Sequence, residues 1–392
     1  MSGVEGYMYP NEITLYWSVL IVLYPYITGL VAGAFILASL ERVFRVEAVA
    51  PTYRLALLTA LAFLLVAPLP LVLHLGHPFR SPEMYFTPHS TSAMAMFGYV
   101  YMWYLMAVLV LEIWLDYRRE IVLLSQSSKG LLRLVYKVMT LGSSNVSERS
   151  LAIDERVGWI VTLIGIPSAF LLHGYVGFIF GSIKANPWWS SPLMPVVFIF
   201  SAMVSGIAGV MLLYMALTKL RKQKIDMRCV DAIAMYMFYI YTIDFSLEML
   251  DLVHRIYEAN ESFNSLNFMV HTQLYFSQIV LQICLGTLVP LVLLFLTQVV
   301  KLPEIARKYM YVISGSLALV GVLAMRWNVV IGGQLFSKSF LGYTTYKMSL
   351  VTKEGLLVAI GLTLLPLLFL WVLVKLLPPW PAKGEPEGVA AD

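Results

Sequence analysis

The chain of 392 residues is 59% hydrophobic and only 13% charged, against roughly 25% charged in soluble domains, which excludes a water-soluble globule as its main body. Its net charge of +4 lies in short loops between apolar runs, so membrane topology explains it better than a polyanionic partner such as nucleic acid. The two cysteines, Cys229 and Cys284, fall in different apolar runs, at a spacing that makes no iron–sulfur, CxxC or zinc motif.

The N-terminal stretch lacks the basic flank and small-residue cleavage site of a signal peptide, so the first apolar run is expected to be a retained helix. Crossing the hydrocarbon takes roughly 20 apolar residues. By that measure the spans are about 13–40, 52–75, 92–116, 157–180, 193–219, 229–253, 271–299, 308–331 and 353–377. The expected fold is an all-α polytopic membrane protein of about nine helices, a single membrane domain over 1–380 with a short disordered cytoplasmic tail at 381–392. Threading the lysines and arginines through nine spans leaves twenty on one side and seven on the other. The richer side should be cytoplasmic, which places the N-terminus outside and the C-terminus inside, in the cell membrane.

In chain order, the first helix carries Gly29 and Gly33, a small-xxx-small pair that lets two backbones approach in lipid. The long connection near 117–156 spaces Leu124, Leu131, Leu132, Val135, Val138 and Met139 beside Arg133 and Lys137, as an amphipathic helix on the cytoplasmic interface would. All six histidines, His74, His77, His89, His173, His254 and His271, fall at outer helix ends or in outer loops. A two-haem cytochrome b needs axial pairs at two depths, and the inner pair is missing. One outer haem between His173 and His271 is the remaining haem reading.

The outer layer also gathers Trp17, Tyr24, Tyr175, Trp188 and Trp189 beside Arg80, Asn186 and Asn328. Aromatics at this depth are commonly an interfacial belt. Mixed with histidine and arginine they also suit a flat ring with two carbonyls: faces to stack on, donors for both oxygens, and a titratable group for protons. Asp244, Glu248 and Asp251 share one face of the sixth helix, and ionisable groups inside a span default to a proton relay or an ion pair. Arg326 near the outer end of the eighth helix is the expected partner.

Four segments in order resemble the NrfD-like family, the membrane subunits of polysulfide reductase and its relatives. They are Trp17 through Tyr24 to Gly29–Gly33; His74-Leu75-Gly76-His77-Pro78-Phe79-Arg80 followed by Pro88-His89-Ser90-Thr91-Ser92; Tyr175-Val176-Gly177 with Asn186-Pro187-Trp188-Trp189; and Arg326-Trp327-Asn328 through Gln334. The resemblance implies a helical bundle that binds menaquinone or a related quinone as substrate near the outer leaflet, with no haem or iron–sulfur cluster of its own. It also implies a ferredoxin-like iron–sulfur partner subunit, bridging to a molybdopterin catalytic subunit. Carried over by position, His74, His77 and Tyr175 become the catalytic candidates. Trp17, Tyr24, Arg80, His173, Trp189 and Asn328 become quinone contacts, and Asp244, Glu248, Asp251 and Arg326 the proton path. The chain departs from the family at His74, where an aspartate is usual, and at Tyr24, where some members have histidine. Two readings compete with the quinone-binding one: an ion or proton translocator using the sixth-helix acids, for which Pro167 and Pro290 hint at broken helices, and a purely structural anchor.

Overall fold

The computed structural model describes residues 4–87, 89–258 and 262–380; the expected tail at 381–392 and Pro88 lie outside the described residues. Among these, nine helices are long and apolar enough to cross a bilayer. They are Val19–Arg42, Glu47–His74, Ala95–Ser127, Glu148–Gly181, Met194–Leu220, Met227–Glu258, Tyr275–Val299, Glu304–Gln334 and Leu356–Leu376. Helices are the expected solution for an open bundle in hydrocarbon, because each backbone N–H and C=O then finds its partner within the segment. The described residues thus form an all-α multi-pass membrane protein of nine spans.

The first span is the axle of the bundle. Every residue from Val19 to Ser39 is buried, and the helix packs against the second, fourth, fifth, eighth and ninth spans. Its small residues set the closest approach: a Cβ on Gly33 would meet the Ala202 carbonyl oxygen and stand 2.8 Å from the Gly206 Cα of the fifth span. Ser18 caps the helix, its hydroxyl accepting from the Leu20 N–H at 3.3 Å. A second close pair, Gly286 with Gly321, joins the seventh and eighth spans. The seventh span opens as a π-helix, Tyr275–Leu288, and the third carries another π segment at Tyr104–Val110.

At the end of the bundle that bears the N-terminus, strand β1 (Glu5–Gly6) pairs antiparallel with β2 (Gly342–Tyr343). Glu12 ties the same two segments by accepting from Ser337 Oγ at 2.5 Å and from the Lys338 N–H at 3.2 Å. A separate short helix, Phe263–Thr272, precedes the seventh span, so that span starts at Tyr275 and His271 belongs to the short helix. At the opposite end the connection after the third span forms an amphipathic helix, Gly130–Met139. Leu131, Leu132, Leu134 and Val138 are exposed on it, while Tyr136 is tucked in and donates to the Leu376 carbonyl at 2.9 Å.

Branching the Cβ at Gly33 forces the first and fifth spans apart. Gly33→Val should cost about 1–3 kcal/mol or more of folded stability by overpacking, read as thermal unfolding in detergent. Gly361→Val on the ninth span, where a Cβ would meet nothing within 4 Å, serves as the control and should change little.

Candidate functional site

The organising group of the site is a guanidinium with no access to solvent. Arg326, on the eighth span, is 0% exposed. Its Nη2 donates to Ser201 Oγ at 2.8 Å, to the Phe198 carbonyl at 3.3 Å and toward His173 Nε2 at 3.0 Å. Its guanidinium carbon lies 3.9 Å from the centre of the Phe198 ring, a cation–π contact that desolvation strengthens.

This network fixes the histidine tautomer. Arginine only donates, so His173 Nε2 must accept and the ring proton belongs on Nδ1. Nδ1 then donates to Thr28 Oγ1 at 3.3 Å, and Thr28 passes its own hydroxyl proton to the Tyr24 carbonyl at 3.0 Å. One chain of hydrogen bonds thereby links the first, fourth, fifth and eighth spans. Both ring nitrogens of His173 are engaged, and His271 is exposed on the short helix with its Nδ1 2.8 Å from the Asn267 carbonyl. The two do not face each other across a shared ligand, which removes the single-haem arrangement.

The sixth-span acids divide into two settings. Asp251 is fully engaged: it accepts from Ser191 Oγ and from Arg255 Nε at 2.8 Å. Arg255 in turn donates to the Pro187 carbonyl at 2.5 Å and the Trp188 carbonyl at 3.3 Å. Glu248 is half-buried, and both its oxygens lie 3.3 Å from Gln282 Nε2. Asp244 is buried, and its Oδ1 has no hydrogen-bond partner among the described residues. Arg326 sits within Coulombic range of Asp244 and Glu248, yet its donors go to His173, Ser201 and Phe198. It is a charge neighbour of the acids without a direct salt bridge to them.

From Glu248 a relay of amides runs to the eighth span. Gln282 Oε1 accepts from Asn328 Nδ2 at 2.8 Å, and Asn328 Oδ1 accepts from Ser277 Oγ at 2.6 Å. The Asn328 carbonyl accepts from Trp188 Nε1 at 2.9 Å, and the Val329 carbonyl from Trp189 Nε1 at 2.6 Å. Trp189 stacks on Trp17, centroids 5.0 Å apart, and Gln334 clamps the Trp17 backbone from both sides, at 3.0 and 3.2 Å. Asn186 closes the loop by donating to the Gly333 carbonyl at 2.7 Å.

Beside this relay opens a cavity of about 370 Å³ bounded by the sixth, seventh and eighth spans and the short helix. Trp188, Asn328, Gln282, Glu248, Asp251 and His271 supply its polar and aromatic edge, while Leu252, Ile256, Val270, Ile279 and Ile283 supply apolar wall. Its size falls in the range of small-molecule sites, about 300–1,000 Å³.

The remaining candidates sit elsewhere. Tyr24 is buried edge-on to Phe97, 5.0 Å between centroids, and lies within Coulombic range of Tyr175. Tyr175 is half-buried and donates to the Ala93 carbonyl at 3.2 Å. His74 reaches Glu354 at 3.1 Å, and His77 is exposed. Arg80 is exposed in a fork-like pair with Glu83 at 2.9–3.1 Å, whose hydrogen bonds hold the Glu83 carboxyl below its usual range. The structure therefore gathers Trp17, His173, Trp189, Asn328, Asp244, Glu248, Asp251 and Arg326 in one connected region. The side chains of His74, His77, Arg80, Tyr24 and Tyr175 lie outside that network. Gln282, Ser201, Ser277 and Thr28 join the region without any distinctive mark in the sequence. The one available signal was Gln278 and Gln282, two amides one turn apart inside an apolar run.

Removing the buried guanidinium leaves His173 Nε2 and the two acids without their cation. Arg326→Met should therefore cost about 3–5 kcal/mol, as for other buried charges stripped of a partner, read as loss of thermal stability. A loss well under 1 kcal/mol would show that the network holds nothing together.

Residues 9–338 match the family described as polysulphide reductase, NrfD. A selenate reductase subunit of Mesobacillus selenatarsenatis is 34% identical over 206 residues, covering 50% of this chain and 47% of that protein. Protein NrfD of Escherichia coli is 31% identical over 207 residues, covering 52% of this chain and 61% of that protein. The chain thus spans about half the length of these curated relatives. With a family match over most of its length and nine apolar spans in the structure, the chain belongs to the NrfD family of polysulphide reductase membrane proteins.

Proposed function

We propose that this protein is the quinone-reactive membrane subunit of a respiratory oxidoreductase, and that the 370 Å³ cavity between the sixth, seventh and eighth spans receives the quinone ring. That cavity is the observation that carries the reading. It combines an indole edge, side-chain amides, a histidine, the carboxylates of Glu248 and Asp251 and the guanidinium of Arg255 with an apolar wall, a set that suits a dicarbonyl ring with a prenyl tail. The amides of Gln282 and Asn328 are preset by Glu248 and Ser277, so their orientation is fixed before any ligand arrives.

A quinone exchanges two protons along with its two electrons. Glu248, at the cavity edge, is placed to take or give a proton, and His271 at the mouth is placed to pass it to water. Asp251, locked to Arg255 and Ser191, orients the Pro187–Trp188 backbone and is a positioning residue in this scheme. The electrons go to or come from an iron–sulfur partner subunit, with a molybdopterin subunit beyond it, docked on the end that carries the N-terminus. That end faces the exterior of the cell membrane in this reading. The family resemblance and the name of the selenate reductase relative support the partner assignment. Coupling to proton movement would begin at the Asp244–Glu248 pair.

A second placement of the ring, against Tyr175 with His74 or His77 as proton acceptor, is favoured by the Tyr175–Phe178 stack, by Tyr24 within Coulombic range of Tyr175, and by the partly exposed Tyr175. Substitution separates the two placements. Asn328→Ala leaves Gln282 Oε1 without its donor at a cost of about 1–3 kcal/mol, so quinone affinity and quinone-dependent turnover of the assembled complex should fall by roughly tenfold or more. Tyr175→Phe, His74→Ala and His77→Ala should leave turnover within about twofold, an effect under 0.5 kcal/mol. The opposite pattern moves the ring to Tyr175. A complex that turns over without any response to quinone analogues makes the chain a structural anchor.

A further inference from the structure

Next to the large cavity, and sharing Glu248, Gln282 and Met325 with it, lies a second cavity of about 10 Å³, room for a single water-sized particle. We infer that this chamber is a binding site for one sodium ion, held by Asp244 and Glu248 together with hydroxyl oxygens of the fifth, sixth and seventh spans. Sodium binding there goes beyond the quinone reading and does not depend on it.

The donor set favours a cation. Asp244, 3% exposed, has an unpartnered Oδ1 and lines the chamber. The hydroxyls around it have already spent their protons on backbone carbonyls. Tyr241 donates to Gly286, Thr287 to Gln282 at 2.9 Å, and Ser201 to Val197 at 2.7 Å. What they can still offer is lone pairs, of which Ser201 Oγ already commits one to Arg326 Nη2 at 2.8 Å. A buried chamber edged by two carboxylates and three hydroxyls that act as acceptors is suited to a cation, and its oxygens are the hard ligands that alkali and alkaline-earth ions select.

The balance of charge sets the valence. The groups facing the pair are Arg326 from the eighth span, Tyr241 on the same helix, and His173, neutral in the tautomer above, behind Arg326 from the fourth. Asp251, one turn beyond Glu248, is already matched by Arg255. When both carboxylates are ionised, two against one guanidinium leave one negative charge in a desolvated place, and a single monovalent cation closes the balance. A divalent ion would overshoot it. Carboxylate oxygens are high-field ligands, which favour the smaller sodium ion over potassium.

The backbone explains why the chamber exists. Thr287 Oγ1 reaches back five residues to the Gln282 carbonyl, within the π-helical stretch that widens the seventh span. The bare contact of Gly286 with Gly321 draws the eighth span against it.

The test uses the purified full chain in detergent, at one alkaline pH and constant ionic strength, with choline chloride exchanged for sodium chloride. A ligand that binds only the folded state raises the unfolding temperature in a saturable way. Sodium should do so, lithium should substitute, and potassium should not. Asp244→Asn should raise the half-saturating sodium concentration at least tenfold, and Thr287→Val should raise it severalfold and stands in where the first variant does not fold. Equal shifts with sodium, potassium and choline, or a sodium response unchanged by both substitutions, overturn the site. Quinone affinity measured on the same preparation keeps the two ideas apart, since absence of a sodium response with quinone binding intact rejects the sodium site alone.

Discussion

A guanidinium at bilayer depth is the constraint around which the core of this protein is arranged. An arginine there is costly unless every donor is answered and the charge is balanced. Arg326 meets most of that demand by drawing a histidine, a serine and a backbone carbonyl from two other spans to its Nη2 and laying its plane over Phe198, while its Nε has no partner among the described residues. The small residues of the first span are part of the same solution. Gly29 lies against the His173 ring, where a Cβ would stand 3.3 Å from Cε1, and Thr28 supplies the acceptor for the histidine's proton. Packing and polarity are therefore one arrangement: a bulkier first span would push away the histidine that Arg326 needs.

The two carboxylates on the sixth span make sense against that charge. Glu248 looks into the large cavity and is steadied by an amide, while Asp244 looks into a small chamber with an oxygen left over. Because Arg326 donates to neither, their charge is offset only through space. That leaves them free to change partner or protonation without breaking the scaffold, whereas Asp251, salt-bridged to Arg255, is committed to structure. The one helical face thus carries two kinds of acid, distinguished by what the neighbouring spans present to each.

The fold was legible because hydrophobic run length in a membrane protein answers to a single external dimension. All nine spans follow from it, and the helices run well past the expected ends at Tyr117–Ser127 after the third span, Glu148–Arg156 before the fourth and His254–Glu258 after the sixth, with shorter extensions at the start of the second and at both ends of the eighth. The small-xxx-small pair and the amphipathic Gly130–Met139 helix were equally readable. The site was less so. Depth put the histidines, tryptophans and acids in one layer, but depth says nothing about azimuth. Which of them share a side of the bundle depends on helix rotation, set by contacts such as Gly33 with Gly206 and Gly286 with Gly321. Hence His173 and Arg326 meet, while His74 faces Glu354. Gln282 gives little warning: it and Gln278, two amides one turn apart in an apolar run, are chemically mute until their neighbours are known.

The other end of the bundle shows what a polar cluster looks like when binding the helices together is its evident task. Asp116 receives Arg42 at 3.4 Å and Arg54 at 2.9 Å, and Arg118 holds Asp154 at 2.5 Å with Ser143 and Ser150 completing its fork. Cations are abundant there, and both of these carboxylates are matched. Glu112 in the same layer accepts from Thr162 at 2.7 Å and Tyr53 at 3.4 Å, with its second oxygen unpartnered among the described residues. Between Glu112 and the Asp244 chamber runs the first span's Leu30–Ala38 stretch, buried and, apart from its glycine, wholly apolar. A proton moving from one layer to the other would have to pass this stretch or skirt it through water. Proton exchange at the cavity end alone needs no such passage.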